Sequence, residues 1–304
     1  MTEILISEVG PRDGLQSIDR IMPLEAKKAW IKAEAEAGVR EIEVGSFVPP
    51  SLLPQLADTA EVVAFAKTIP GLNVVALVPN AKGAGRAAEA GVHAMSIPFS
   101  MSETHSLKNV RKSHAEMLIE IGEIAAIARG AGIHFAVGLS TAFGCTMEGA
   151  IDEDQVVRLA AQAAQAGAEE FSLSDTTGYA DPAQVRRLIR KVRGAVGDRL
   201  TTLHLHNTRG LGLANALAGL DEGITTFDSS LGGLGGCPFA PGASGNIVTE
   251  DLAFMLAAMG YETGIDLEKL LKVREIVVQA LPGEPLYGFT PDAGLPLDYE
   301  QRVA

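Results

Sequence analysis

Length, composition and charge narrow the class of protein before any motif is considered. The chain has 304 residues, of which 47% are hydrophobic and 21% charged, proportions typical of a globular protein with a large core. Its 25 Lys and Arg residues against 38 Asp and Glu residues give a net charge of −13. We therefore expect no nucleic acid partner, because that affinity comes mostly from cationic contacts to phosphate.

The first 14 residues, MTEILISEVGPRDG, lack the charged segment and apolar run of a signal peptide. No apolar stretch approaches the ~18 residues of a membrane span. We therefore expect a cytoplasmic protein with no membrane partner. In that reducing compartment the two cysteines, Cys145 and Cys237, are expected to be free thiols.

Short β-branched runs alternate with helical stretches along almost the whole chain. A helical segment follows each run, the first being PLEAKKAWIKAEAEAG (23–38) and the second lying near 56–67. The predicted strands are ILISEV (4–9), EIEVGS (41–46), NVVALV (73–78), HAMSIPF (93–99), HFAVGLS (134–140), EFSLSD (170–175), TTLHLH (201–206) and TTFDSS (225–230). Eight such units predict a TIM (β/α)₈ barrel over residues 1–262. Residues 263–304 are expected to add a helix and a Pro-containing tail outside it, within one domain.

A doubly wound sheet would show the same alternation, but polar residues at the strand ends favour the barrel. In a barrel all these ends converge on one face, where the βα loops build the active site. No GxGxxG stretch follows the first strand, so dinucleotide binding has no local support. The strand-end residues are Glu8, Arg12, Asp13, Glu43, Ser46, Ser140, Asp175, His206 and Ser230.

The LHLH stretch of the seventh strand places His204 and His206 on one face, because side chains two apart in a strand point the same way. Alone, this pattern also fits packed or hydrogen-bonded histidines. Asp13 after strand one and Asn246 after strand eight reach the same region, since strands one, seven and eight are neighbours in a closed barrel. Two imidazoles, a carboxylate and an amide oxygen suit Mg²⁺ or Mn²⁺ better than a structural zinc.

PRDG (11–14) fits either a simple turn or part of a site. Adjacent side chains tend to diverge, so Arg12 and Asp13 need not form a salt bridge. Arg12 would then be free to face a developing negative charge while Asp13 faces a metal. Glu43 alternates with apolar neighbours and therefore faces the barrel side of strand two. A buried carboxylate there requires a partner, and Arg12 is a suitable one.

Together these features resemble the hydroxymethylglutaryl-CoA lyase family, within the metal-dependent lyases and Claisen-type synthases built on a TIM barrel. The most specific feature is the glycine-rich loop GLGGCPFAPGASGN (233–246), which contains Cys237. The synthases share the Arg-Asp pair and the HxH motif but lack this loop. The resemblance covers almost the whole barrel, through EVGPRDGLQ (8–16), EVGSFV (43–48), SETHSLKN (102–109), GLSTAFGCTMEG (138–149), SLSDTTG (172–178), LHLHNTRGLGLAN (203–215) and DSSLGGLGGCPFAPGASGN (228–246).

The resemblance implies retro-Claisen cleavage of 3-hydroxy-3-methylglutaryl-CoA to acetyl-CoA and acetoacetate. It implies a divalent cation, Mg²⁺ or Mn²⁺, and an acyl-CoA substrate. The implied catalytic residues are Arg12 at the enolate, Cys237 as a mobile acid or base, Asp13 and Glu43. Asp13 serves as a ligand and as a proton relay. The implied metal ligands are Asp13, His204, His206 and Asn246, and the implied residues around the substrate are Glu43, Gln16, Ser46 and Ser102. A homo-oligomer is expected.

Two stretches depart from the family pattern. SIDR (17–20) stands where a lysine often follows the RDGLQ motif, and NTR (207–209) stands where Asp-Thr-Tyr commonly follows the HxH. Arg209 offers a guanidinium that can hold a substrate carboxylate. A lyase of a related 3-hydroxyacyl-CoA such as citramalyl-CoA is therefore an alternative. A Claisen-type synthase, an aldolase acting on a free oxo acid and a non-catalytic acyl-CoA-binding protein are the others.

Overall fold

Eight parallel strands close into a barrel in which neighbours follow chain order and the eighth strand pairs with the first. The computed structural model describes residues 3–235, 244–297 and 299. The strands are β1 (Leu5–Glu8), β2 (Glu41–Ser46), β3 (Asn73–Leu77), β4 (Ala94–Ser100), β5 (His134–Ser140), β6 (Glu170–Asp175), β7 (Leu200–Leu205) and β8 (Thr226–Ser229). Each lies within one residue at either end of its predicted range, and the predicted TIM barrel is confirmed.

Helices surround the barrel, with two of them after β4 instead of the single one expected. They are α1 (Leu24–Glu36), α2 (Thr59–Ala66), α3 (Ala81–Ala90), α4 (Glu103–Asn109), α5 (His114–Ala131), α6 (Glu153–Ala166), α7 (Pro182–Val196), α8 (Gly212–Asp221), α9 (Thr249–Ala258), α10 (Leu267–Ala280) and α11 (Phe289–Ala293). The expected C-terminal helix is α10, which packs against α1 and α9. No helix in the described part of the chain combines the length and apolar character needed to cross a bilayer.

The helix α7 shows how the sequence directs these helices onto the barrel. Its N-cap Asp181 accepts hydrogen bonds from the amides of Ala183 and Gln184, which would otherwise lack a partner in the first turn. Its buried side chains recur at the spacing that places them on one face of a helix, namely Val185, Leu188, Ile189, Val192 and Val196. Burial of this stripe against the strands therefore fixes the orientation of the helix.

Carboxylates inside the barrel are hydrogen-bonded to side chains of other strands. Asn73 on β3 donates to Glu41 Oε2 at 2.7 Å, and Ser96 on β4 donates to Glu43 Oε1 at 2.8 Å. Because β2 and β4 are not paired with each other, the second bond crosses the barrel interior. Each of these carboxylates thus has a partner that offsets part of its desolvation.

His134, at the start of β5, contributes stability that depends on pH. Its ring lies 2.7 Å from Glu170 and 3.2 Å from Glu169. The hydrogen bond to Glu170 raises the pKa of His134 above its usual value. A raised folded-state pKa stabilises the protein below the unfolded pKa of about 6.5, and this contribution is lost as pH rises through the folded value. His134→Gln should therefore lower the unfolding free energy near pH 5.5 and not near pH 8.5, by only about 0.5 kcal/mol because the side chain is 46% exposed.

Urea unfolding at the two pH values measures this difference. The same substitution in a Glu170→Gln background should show a much smaller pH dependence, since the main partner has lost its charge. An equal loss at both pH values in the single variant would show that packing, and not the ion pair, accounts for the effect.

Candidate metal and active site

Three potential ligand atoms converge at the carboxyl ends of β1 and β7. One atom each from Asp13, His204 and His206 lies within 4.8 Å of the other two. The Nε2 atoms of the two histidines are 3.2 Å apart, and His204 Nε2 is 3.7 Å from Asp13 Oδ2. A carboxylate and two imidazoles at this separation form a donor set that divalent cations accept.

The PRDG motif adopts a π-helical turn, Gly10–Gly14, in which the amides of both Arg12 and Asp13 point to the Val9 carbonyl. This turn brings the two adjacent side chains together, with Arg12 Nη1 2.6 Å from Asp13 Oδ1. The expectation that they diverge was therefore wrong. Neighbours in a strand diverge, but the turn directs both toward the barrel mouth.

Arg12 also pairs with Glu43, as expected, through a 2.5 Å contact from Nε to Oε2. Burial alone would lower the pKa of Arg12, but Asp13 and Glu43 outweigh it and raise the pKa. Burial would raise the pKa of Asp13, and Arg12 followed by His204 outweighs it, so that this pKa falls well below its usual range. Asp13 is therefore ionised, as a metal ligand must be. Burial keeps the pKa of Glu43 raised despite Arg12.

The two histidines differ in their surroundings. Burial, followed by the charge of His204, lowers the pKa of His206 to about 4, so its ring is neutral. Burial would also lower the pKa of His204, but its hydrogen bond to Asp228 raises it. Nδ1 of His206 is buried with no hydrogen-bond partner among the described residues. A neutral imidazole is the form that binds a metal ion, and its Nε2 atom faces His204.

Asp228 on β8 is a functional candidate that the sequence reasoning missed. Its Oδ2 accepts a 3.0 Å hydrogen bond from His204 Nδ1, which leaves Nε2 free to point at Asp13 and His206. A carboxylate behind a ligating histidine fixes the ring tautomer in this way at many metal sites. The pairing of β7 with β8 places Asp228 opposite His204. The sequence pattern that could have identified Asp228 is the alternation of side chains along the predicted eighth strand.

Asn246 reaches the cluster as predicted, but through its amide nitrogen and not through the predicted amide oxygen. An isolated β-bridge joins its backbone to His206, and its Nδ2 donates to Asp13 Oδ2 at 2.7 Å. Its Oδ1 is buried with no partner among the described residues. A ligand role through this oxygen requires the amide to turn about its Cβ–Cγ bond.

Of the other residues predicted to lie around the substrate, one bonds to the cluster and the rest bond to nearby backbone. Gln16 donates to Asp13 Oδ1 at 3.0 Å and so belongs to the cluster. The Ser46 hydroxyl accepts from the Val48 amide, and the Ser102 hydroxyl caps α4. Arg209 donates to the Thr177 and Gly178 carbonyls at 3.1 and 2.8 Å, and stacks 4.6 Å from the centre of the Tyr179 ring.

Two of the strand-end residues were expected to face the barrel mouth, but they are buried away from it. The carboxylate of Glu8 is fully buried and is bonded to backbone amides and to Thr249. Ser230 is also buried, and its hydroxyl has no partner among the described residues. Of the two cysteines, Cys145 is buried, and Cys237 lies outside the described residues.

Comparison with known proteins establishes the family. The HMGL-like family model matches residues 3–277, and the chain belongs to this family. It is 40% identical to the hydroxymethylglutaryl-CoA lyase YngG of Bacillus subtilis, over 93% of this chain and 95% of that one. It is 39% identical to the (R)-citramalyl-CoA lyase of Chloroflexus aurantiacus, over 97% and 96%. The structure of an HMG-CoA lyase from Acinetobacter baumannii in complex with coenzyme A and 3-methylmalate superposes with a TM-score of 0.90 at 40% identity, covering 98% of this chain and 97% of that one.

Asp228 provides a direct test of the candidate metal site. Asp228→Ala should weaken Mn²⁺ binding about 10- to 100-fold, because His204 loses the acceptor that fixes its tautomer. Asp228→Asn keeps an acceptor oxygen and should show a smaller loss. Calorimetric titration with Mn²⁺ measures both.

The matched control is Asp221→Ala, which removes an exposed carboxylate paired with Arg186 on the helix surface. Its Mn²⁺ affinity should equal that of the unchanged protein. Wild-type affinity in Asp228→Ala would instead show that His204 needs no support from β8.

Proposed function

We propose that this protein is a metal-dependent carbon–carbon lyase that cleaves 3-hydroxy-3-methylglutaryl-CoA to acetyl-CoA and acetoacetate. The observation that carries the proposal is the contact between Arg12 and Asp13, which places a guanidinium beside the cluster of Asp13, His204 and His206. Family membership and the Bacillus hydroxymethylglutaryl-CoA lyase support the same reaction. The coenzyme A in the Acinetobacter structure supports an acyl-CoA substrate.

The cluster fits a divalent cation on the chemistry of its donors and on the orphaned Oδ1 atom of Asn246. Asp13, His204 and His206 would hold it, with Asn246 after rotation of its amide. A Mg²⁺ or Mn²⁺ ion there would polarise substrate oxygens and acidify the 3-hydroxyl group. Gln16, bonded to Asp13, lies close enough to orient that ligand.

Arg12 performs the electrostatic part of the reaction. When the 3-hydroxyl loses its proton to a base, the carbon–carbon bond breaks and acetoacetate leaves as the ketone. The electron pair passes to the acetyl thioester as an enolate, whose oxygen needs positive charge. The guanidinium of Arg12 is held in place by Asp13 and Glu43 before the substrate arrives, so little reorganisation is needed when that charge develops.

The enolate carbon then needs a proton to give acetyl-CoA, and Cys237 is the predicted donor. Cys237 lies outside the described residues, so its role stays a prediction from the sequence. The strongly acidic Asp13 holds a proton poorly, which favours its role as a ligand over its role as a relay. Location in the cytoplasm and assembly as a homo-oligomer also stay predictions.

Cleavage of citramalyl-CoA is the second candidate. The Chloroflexus relative is as similar to this chain as the hydroxymethylglutaryl-CoA lyases are. Arg209 bears on both substrates, because stacking on Tyr179 holds its guanidinium where it can meet the carboxylate that each acyl group carries.

The substrate is tested by incubating the protein and Mg²⁺ with 3-hydroxy-3-methylglutaryl-CoA and with citramalyl-CoA. Acetoacetate released from the first thioester, at a higher kcat/KM than pyruvate from the second, is the expected result. Excess chelator should abolish both, and added Mn²⁺ should restore them. Full activity in chelator, or cleavage of the second thioester alone, would contradict the proposal.

Arg12→Gln should lower kcat by at least about 10²–10³-fold while Mn²⁺ still binds, because the charge at the enolate oxygen is lost. The change also leaves Glu43 buried without its cation, which costs about 3–5 kcal/mol of stability. The double variant Arg12→Gln/Glu43→Gln should therefore regain stability without regaining turnover. Recovery of kcat in the double variant would show that Arg12 acts only by supporting the fold.

A further inference from the structure

Glu8, the last residue of β1, joins two segments that are distant in sequence. Its Oε1 accepts a 2.8 Å hydrogen bond from the Gly10 amide and a 2.9 Å bond from the Leu231 amide. Its Oε2 accepts a 2.6 Å bond from the Thr249 hydroxyl. A single carboxylate thus holds the start of the Arg12–Asp13 turn, the residues after β8 and the start of α9.

The two amides bonded to Oε1 belong to two turns, one that carries Arg12 and Asp13 and one that leads into the glycine-rich loop. Gly10 begins the π-helical turn that carries Arg12 and Asp13. Leu231 begins a 3₁₀ turn, Leu231–Gly233, that leads into the glycine-rich loop. We call Leu231–Gly233 with the next two residues, 234 and 235, the loop base.

The loop base also packs directly on the Arg12–Asp13 turn. A Cβ on Gly14 would lie 3.1 Å from the Leu234 carbonyl, and one on Gly235 would lie 2.8 Å from the Gly14 carbonyl. A Cβ on Gly10 would lie 2.5 Å from Glu8 Oε1 itself. Backbone therefore approaches backbone closely here, and a small shift of one segment must move the other.

A second buried carboxylate secures the outer side of the loop base. Glu250 Oε2 accepts from the Gly232 amide at 2.9 Å, and its Oε1 accepts from Arg274 on α10 at 2.7 Å. Glu250 bonds to the loop base and to α10, whereas Glu8 bonds to the loop base and to the turn. Of these two carboxylates, Glu8 alone connects the loop base to the residues of the site.

We propose that Glu8 is a positioning residue that sets the Arg12–Asp13 turn against the loop base. What matters in this role is the reach of its Oε1 atom to two amides. Burial raises the pKa of Glu8 to about 7, so a neutral side chain of equal length can occupy the position. The link to catalysis rests on the proposed lyase function, whereas the link between the two segments does not.

Two substitutions separate reach from charge. Glu8→Gln keeps an oxygen at the same distance and should preserve amide protection, Mn²⁺ affinity and kcat. Glu8→Asp keeps the charge but is one methylene shorter, so its oxygen cannot reach both amides. It should speed hydrogen exchange at Gly10 and Leu231 at least tenfold and weaken Mn²⁺ binding about tenfold, in the range found when groups behind metal ligands are lost.

Residue-resolved hydrogen exchange, Mn²⁺ titration and steady-state kinetics are measured well below the melting temperature of each variant. Glu41→Asp is the matched control, since it shortens a carboxylate that is bonded to Asn73 at the other end of the barrel. It should alter none of the three readouts. If Glu8→Asp does not fold, Gly10→Ala is used instead, because its Cβ must displace Glu8 and so speed exchange at Leu231.

The proposal is overturned if the folded Asp variant, or Gly10→Ala in its place, leaves exchange at Leu231 unchanged. It is also overturned if exchange rises while Mn²⁺ affinity and kcat stay at wild-type values, or if Glu8→Gln is as defective as Glu8→Asp. The amide readout needs no lyase activity. An inactive wild-type protein would therefore refute the proposed function and leave the coupling of the two segments open to measurement by exchange.

Discussion

The buried charge balance around Arg12 is the interaction on which the site depends. A guanidinium with 11% side-chain exposure is paired with two carboxylates, Asp13 and Glu43, that are almost equally buried. Leaving any one of them unpaired in such surroundings costs several kcal/mol. The same pairing keeps Asp13 ionised and fixes the guanidinium beside the histidines. Stability and function thus impose the same geometry on this turn.

Closure of the barrel is what makes this arrangement possible. Because β8 pairs with both β1 and β7, residues near positions 13, 204, 228 and 246 meet at one end of three adjacent strands. Asp228 then bonds to His204, and Asn246 bonds to Asp13. An open sheet with the same strands would separate the first strand from the last, and the donor set would not form.

The chain after the last strand is tied into the same centre. Arg274 on α10 donates to Glu250 and to the Tyr287 carbonyl, while the Tyr287 amide donates to the Gly232 carbonyl. The C-terminal helix is therefore part of the support for the loop base and more than an outer layer of the barrel. Its packing on α1 joins that support to the helix that follows the Arg12–Asp13 turn.

The sequence by itself determined the barrel and brought Asp13, His204 and His206 to one end of it. Alternation of strands and helices depends on local periodicity, which is why every strand was located, and the HxH pattern depends on the two-residue repeat of a strand. It did not determine that Arg12 and Asp13 pair, because the width of a π-helical turn is invisible in PRDG. Nor did it reveal Asp228 behind His204, or Glu8 turned away from the mouth toward Leu231. Those contacts join residues up to 223 positions apart, and only the closed barrel decides which of the available donors each buried carboxylate meets.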